Sequence, residues 1–323
     1  MTISTHRLFP LCFALILMMT FFLSSSQALA QKLNVIVSIP PQKYFVEKIG
    51  GEKVNVSVML PPGASPHSFE PKPAQMVDLG KADIYMAIGV EYEKALLPRI
   101  SSMHQDLQVV HTDKGINKIP MTPHSHGHDH GHNHEHEHGH DHGHEHGHNH
   151  GHDCKSNGRD PHVWLSPDLV MVQASNIYQA LVQTSPEDKE YFQDNYISFI
   201  NELVSLDQEI KSILSEIRPG TKFMVFHPAW GYFARAYGLI QLPVEVEGKE
   251  PKAADLKHLI DTAVHKHIKI VFVSPQFSKR SAQIIADSIG GKTLSINPLA
   301  ENWMENMVEV AHKFKEALKG EAH

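Results

Sequence analysis

Short apolar runs alternate with helical patterns over most of the chain. Apolar and β-branched runs bounded by Gly, Pro, Asn or Asp predict strands, and apolar residues that recur at steps of three and four predict helices. In the first part of the chain the predicted strands are residues 33–39, 54–60, 83–90 and 107–111, and the strand at 54–60 is expected to be buried. The helices expected between them are residues 44–49, 73–79 and 91–101. This alternation predicts an α/β unit with a parallel sheet.

The last third of the chain repeats the alternation. Its predicted strands and extended runs are residues 221–227, 239–247, 268–274 and 292–297. Its predicted helices are residues 230–237, 252–267, 279–289 and 303–318. The chain is therefore expected to form two similar α/β lobes with mostly parallel sheets.

A long helical pattern separates the two halves. After a predicted helix at 165–184, Ser185 and Pro186 are a favourable cap and first residue, and no further Pro or Gly follows until after residue 217. About 30 helical residues would span about 45 Å. We expect residues 186–217 to link an N-terminal lobe (31–185, with a loop at 121–157) to a C-terminal lobe (218–323).

Residues 1–30 have the organisation of a secretory signal peptide. A short segment with Arg7 precedes an apolar run at 8–23, and Ala28-Leu29-Ala30 is a small-x-small cleavage site. Lipid attachment is not expected, because Cys12 lies inside the apolar run rather than just after it. No later segment approaches the roughly 20 apolar residues of a membrane-spanning helix. The mature protein is therefore expected in the periplasm.

The charge and the cysteine content limit the possible binding partners and cross-links of the chain. The chain has a formal charge of −7, which becomes −8 without the predicted signal because that segment holds one basic residue and no acids. A mildly acidic secreted protein is not expected to bind nucleic acid. Cys154 is the single cysteine left after cleavage, so no internal disulfide is expected. It is either a soft metal ligand or an exposed linker thiol.

Residues 124–152 form a histidine-rich tract in the middle of the chain. Every second residue is His, which accounts for fifteen of the chain's 26 histidines. The tract has no apolar face and recurrent Gly, so a disordered loop is expected, and neutral imidazoles are good ligands for zinc, nickel and copper. The candidate accessory ligands are His124, His126, His128, His130, His132, His134, His136, His138, His140, His142, His144, His146, His148, His150 and His152.

Three other histidines occupy loops where a ligand site is expected. His67 follows the strand at 54–60 within a proline-rich loop, His227 comes at the end of the strand at 221–227, and His162 precedes a helix. Each lies beside a proline, and two of them are at the carboxyl end of a strand, where α/β sheets bind ligands. Taken singly, each could be an ordinary loop residue. Together they could converge on a cleft between the lobes.

Four motifs, in order along the chain, resemble a known family. They are LPPGASPHSFEPKP at 60–73, DPHVWLSP at 160–167, FHPAWGYFARAYGL at 226–239 and NPL at 297–299. They resemble metal-binding subunits of bacterial ABC importers, and most closely the zinc-specific, ZnuA-like members, which carry a His-rich loop in this position. The resemblance covers nearly all of the mature chain. It implies two α/β lobes joined by one long helix, with transported Zn²⁺ in the cleft between them, bound by His67, His162 and His227.

Two positions depart from that family pattern. Asn297 stands where many relatives have Asp, and Pro66 stands where some zinc-binding relatives have an acid. The fourth ligand is therefore water, Asn297 as a weak ligand, or a histidine of the tract. Three neutral imidazoles favour zinc or another borderline ion over manganese, which prefers carboxylate oxygen. Zinc affinity is expected to fall as pH drops through about 6.5.

These features predict a monomeric periplasmic solute-binding protein, not an enzyme, that delivers Zn²⁺ to an ABC permease. The chain has no phosphate-binding loop, so the ATPase would be a separate chain. One alternative is a zinc hydrolase with Glu245, Glu247 or Glu250 as general base, although none lies in a hydrolase motif. Another is a zinc or nickel buffer that acts through the tract. In the importer interpretation, the tract would collect zinc or sense its abundance.

Overall fold

The computed structural model describes residues 32–121, 158–245, 251–277 and 280–319. The predicted signal peptide, the histidine tract, Cys154, Glu247 and Glu250 lie outside these residues. The expectations for them remain predictions.

The first half of the chain forms a four-stranded parallel sheet. Its strands are β1 (Leu33–Val37), β2 (Val54–Val58), β3 (Ile84–Ala87) and β4 (Gln108–His111). Their order is β2-β1-β3-β4, and every pair is parallel. The helices of this half are α1 (Pro40–Gly50), α2 (Pro73–Leu79), α3 (Glu93–Met103) and α4 (Pro167–Thr184).

The second sheet repeats this topology. Its strands are β5 (Lys222–Val225), β6 (Ile240–Pro243), β7 (Ile270–Val273) and β8 (Lys292–Ser295), in the parallel order β6-β5-β7-β8. The accompanying helices are α6 (Gly231–Ala236), α7 (Ala253–His265), α8 (Arg280–Ser288) and α9 (Trp303–Leu318). In each sheet the chain runs from one central strand to the edge beside it, and then returns to the other central strand and continues to the opposite edge. The two central strands therefore flank a topological switch point, where ligands bind in such folds. The predicted α/β class with two similar parallel sheets is confirmed.

Strand β2 is less buried than predicted. Val54 is buried, whereas Asn55 and Ser57 are exposed. The strand lies at the edge of its sheet and ends at Val58, so one of its faces meets solvent. The buried apolar residues Met59 and Leu60 follow it in the loop. The pattern therefore located the strand correctly, but its position in the sheet determined its burial.

The long helix is shorter than predicted. A 3₁₀ turn at Pro186–Asp188 precedes α5, which covers Lys189–Leu214 and has 26 residues, or about 39 Å. The Asp188 carboxylate, at the end of this turn, accepts a hydrogen bond from the Ser185 hydroxyl at 2.9 Å and pairs with Lys53 at 2.7 Å. Helix α5 connects the two halves in sequence and packs against α1, α4 and α9.

The C-terminal helix α9 contacts both halves, although its sequence assigned it to the second lobe alone. At its start, the Trp303 ring lies 5.0 Å from that of Phe45, and its indole donates to the Trp164 carbonyl at 2.7 Å. Near its end, the Phe314 ring lies 4.6 Å from that of Phe223. The two halves are thus joined by a second helix besides α5. Within the described residues, no helix is long and apolar enough to cross a membrane.

Candidate metal centre

Three loops carry the candidate histidines. His67 lies in the turn-rich loop after β2, where its amide contacts the Ser65 hydroxyl at 3.4 Å. His227 comes two residues after the end of β5 and is 3% exposed. His162 is held between Pro161 and a 3₁₀ turn at Val163–Leu165, and it is also buried. Local chain geometry thus limits the freedom of all three imidazoles.

The three side chains converge on one point. The Nε2 atom of His227 lies 3.2 Å from Nε2 of His67 and 3.3 Å from Nε2 of His162. Four-coordinate zinc holds nitrogen ligands at about 2.0–2.1 Å, which corresponds to about 3.3 Å between two nitrogens at a tetrahedral angle. Within the described ranges, these histidines are the group of His, Cys, Asp or Glu side chains whose ligand atoms could hold a metal ion.

Each imidazole is backed by a carboxylate on its other nitrogen. Nδ1 of His67 lies 3.0 Å from Glu91, Nδ1 of His162 lies 2.7 Å from Asp160, and Nδ1 of His227 lies 2.5 Å from Glu245. An ionised carboxylate only accepts hydrogen bonds, so each Nδ1 donates its proton and each Nε2 presents a lone pair. Carboxylates behind metal-binding histidines fix the tautomer and raise ligand basicity.

The sequence gives weak signals for these carboxylates. Asp160 lies two residues before His162 in the DPH motif, and its Oδ1 also accepts from the His162 amide at 2.9 Å. Glu91 lies in the segment that follows β3, and Glu245 comes just after β6. Their places near the carboxyl ends of strands are the only sequence indication of a role at the site. Asp160 and Glu245 are buried, whereas the side chain of Glu91 is largely exposed.

The environment keeps two of the histidines in the neutral form. Burial lowers the pKa of His67 below its ordinary value near 6.5, and His227 lowers it further, while the bond to Glu91 opposes these effects. Burial also lowers the pKa of His227, against the opposing effect of Glu245. At neutral pH both side chains are therefore ready to bind a metal without first losing a proton.

The three Nε2 atoms face a small, mostly apolar cavity. Its volume is about 10 Å³, room for about one water-sized sphere. Apart from the histidines, it is lined by Pro66, Trp164, Gln276, Phe277, Pro298 and Leu299. The Phe277 ring stacks on His227 with centroids 4.6 Å apart. Such surroundings strengthen the interaction between an ion and its ligands, because little solvent is present to compete.

Asn297 is engaged in other contacts. Its Oδ1 accepts hydrogen bonds from Nε2 of Gln276 at 2.8 Å and from the Leu299 amide at 3.0 Å, and Asn297 does not line the cavity. Its role as a weak fourth ligand remains a prediction. The remaining described histidines lie outside the cluster, and His258, His265 and His267 are exposed.

Comparison with known proteins relates most of the chain to a transport family. A family model described as ZnuA, zinc-uptake complex component A periplasmic, matches residues 35–317. The high-affinity zinc uptake system protein ZnuA of Bacillus subtilis (strain 168) is 32% identical over 279 residues, which are 85% of this chain and 81% of that protein. A crystal structure of ZnuA is 37% identical, with a TM-score of 0.76, and the match covers 89% of this chain and 99% of that one. A zinc-bound deletion mutant of ZnuA matches with the same identity and TM-score over 89% of this chain and 98% of its own.

Proposed function

This chain belongs to the ZnuA family of periplasmic zinc-uptake components, and we propose that it captures Zn²⁺ outside the cytoplasm and delivers it to an ABC permease for import. His67, His162 and His227 form the transport site in this proposal. The observation that carries it is the convergence of three Nε2 atoms, at 3.2 and 3.3 Å, on one small cavity between the two halves of the chain.

The donor set suits a cargo that is bound and then released. Three neutral nitrogens contribute no ligand charge, while Glu91, Asp160 and Glu245 supply negative charge one imidazole away. Nitrogen ligands favour zinc over manganese. Because the ligands come from both halves of the chain, a movement between the halves would break the shell and release the ion.

The location and partners follow from the same interpretation. Cleavage of the signal at residues 1–30 would place the mature chain in the periplasm, and relatives such as ZnuA are named as parts of uptake systems. A membrane permease with a separate ATPase is the partner that the family implies. We further propose that the chain acts as a monomer.

The hydrolase alternative has little support at the site. A hydrolase needs a general base that is free to act on a metal-bound water. Glu245 is instead hydrogen-bonded to Nδ1 of His227, behind the imidazole. This contact counts against Glu245 as a general base, and we propose that the site binds zinc without catalysis.

Zinc titration with chelator competition tests the proposal. The proteins compared are the full-length chain, a variant that lacks residues 124–152, the same deletion with His67→Ala, and the deletion with the exposed His258→Ala as a control. We expect one tight site to survive the deletion, to be lost with His67→Ala and to persist with His258→Ala. Loss of all tight binding on deletion would instead support a buffer that acts through the tract.

The same proteins test the role of the tract. If residues 124–152 collect zinc, the full-length chain binds more ions than the deleted chain, and the additional ions bind more weakly. Equal stoichiometry in the two proteins would count against collection.

A further inference from the structure

A short chain of hydrogen bonds sets the orientation of the Gln276 side chain. The Leu299 backbone amide can only donate, so the atom of Asn297 that it contacts at 3.0 Å must be the oxygen Oδ1. That oxygen also contacts the Gln276 amide at 2.8 Å, so the contacting atom of Gln276 must be the donor Nε2. The carbonyl oxygen Oε1 of Gln276 therefore points away from Asn297.

This oxygen is buried and has no hydrogen-bond partner among the residues that the structure describes. Buried polar atoms are nearly always satisfied, and an exception in a native protein calls for an explanation such as an ion that belongs at the site. The Asn297 contact maintains this orientation, because turning the amide over would place two oxygens against each other.

Gln276 lines the same cavity as the three Nε2 atoms. Among the described lining residues, Gln276 is the one with a side-chain oxygen, since the others are histidine, proline, leucine, tryptophan or phenylalanine. It follows β7 by three residues, and His227 follows β5 by two. These strands are neighbours, with Val225 paired to Phe272, so both residues leave the carboxyl edge of the sheet at its switch point.

We propose that Oε1 of Gln276 is the fourth ligand of the captured zinc ion and that Asn297 positions it. The inference deepens the proposed function and rests on it. With room for about one water-sized sphere, the cavity is large enough for the ion beside the three imidazoles. An amide oxygen is neutral and needs no deprotonation, so it completes a four-coordinate shell without adding charge.

This assignment changes the roles of the residues at the NPL motif. In the family pattern, the position of Asn297 is held by an acid that could ligate the metal directly. Here Asn297 acts through Gln276, and the ligating oxygen comes from the loop after β7. A weaker, neutral fourth ligand favours an ion that is released readily and disfavours manganese, which prefers carboxylates.

Zinc affinity of single variants provides the test, measured by chelator competition. Gln276→Ala should lower affinity by at least about tenfold, as is typical when a supporting metal contact is lost. Asn297→Asp keeps both accepted hydrogen bonds, so it should stay within about threefold of the unchanged chain. Exposed Gln179→Ala should have no effect.

Two further measurements make the result decisive. Thermal unfolding of each metal-free variant identifies any general loss of folding, and a crystal structure of the zinc-loaded chain should show Oε1 at about 2.0–2.2 Å from the ion. The inference is overturned if water occupies the fourth position, if Gln276→Ala binds zinc unchanged, or if Asn297→Asp raises zinc affinity by clearly more than about threefold. If His67→Ala still binds zinc normally, the proposed function fails. If that variant loses zinc but Gln276→Ala does not, only the Gln276 assignment fails.

Discussion

Nδ1 of His227 lies 2.5 Å from Oε2 of Glu245, and both side chains are buried. The carboxylate holds the Nδ1 proton, so Nε2 presents its lone pair to the cavity where it meets the other two histidines. Asp160 does the same for His162, and Glu91 for His67. The orientation of each imidazole thus depends on a carboxylate that lies on the side away from the cavity.

Glu245→Gln should weaken zinc binding by about tenfold, because the amide retains an acceptor but removes the charge that makes His227 a better ligand. Chelator competition measures the change, and the exposed Glu209→Gln is the matched control. Thermal unfolding of the metal-free protein should change little. Unchanged affinity in Glu245→Gln would show that its charge does not support the site.

Gly231→Ala should weaken zinc binding without altering any ligand. A Cβ atom at this position would lie 2.9 Å from Oδ2 of Asp160, so the carboxylate that orients His162 would have to shift. Gly158→Ala is the control, because a Cβ there meets nothing within 4 Å among the described residues. We expect a loss of several-fold in affinity for Gly231→Ala and none for Gly158→Ala. Equal affinities would mean that Asp160 moves without disturbing His162.

As the pH is lowered, zinc affinity should start to fall at a lower pH than it would with histidines of ordinary pKa. Burial lowers the pKa of His67 and of His227, so both stay neutral down to pH values below about 6.5. Protons therefore compete with zinc at His67 and His227 only below that pH, and the contribution of these two ligands to zinc affinity should be nearly constant from pH 8 to about 6.5 and then decrease. Competition titrations over pH 5–8 measure this. A marked loss between pH 8 and 7 would contradict it.

Trp303→Ala should destabilise the whole chain. Trp303 is 1% exposed, its ring lies 5.0 Å from Phe45, and its indole donates to the Trp164 carbonyl at 2.7 Å. Deleting a buried tryptophan leaves a cavity, and we expect a loss of about 3–5 kcal/mol in the free energy of unfolding, measured with urea. Ile197→Ala, at a side chain 49% exposed on α5, should change it by less than about 0.5 kcal/mol.

Trp303→Ala also tests whether α9 supports the metal site. The indole of Trp164 lines the cavity and donates to the Pro298 carbonyl at 2.7 Å. Loss of Trp303 should therefore lower zinc affinity as well as stability. A destabilised variant that binds zinc normally would separate the two roles.

Much of this protein was determined by local sequence. Apolar runs bounded by Gly, Pro, Asn or Asp predicted all eight strands of the described residues, and steps of three and four predicted the main helices, of which Pro73–Leu79 and Trp303–Leu318 match their predicted bounds. Alternating strands and helices have one common solution, a parallel sheet, and its carboxyl edge gathers the loops that follow the strands. That rule drew attention to His67 and His227 among the 26 histidines, and the family resemblance added His162.

Tertiary structure decided which side chains support those ligands. Glu91 lies 24 residues from His67, Glu245 lies 18 residues from His227, and Gln276 lies 21 residues from Asn297. No periodic pattern links such positions, because their contacts depend on where separate loops pack. Packing between distant segments also explains three differences from the predicted elements. These are the edge position of β2, the shortened α5 and the contacts of α9 with both halves. Local periodicity specifies elements and their order, whereas the partners of a polar atom depend on packing between distant segments.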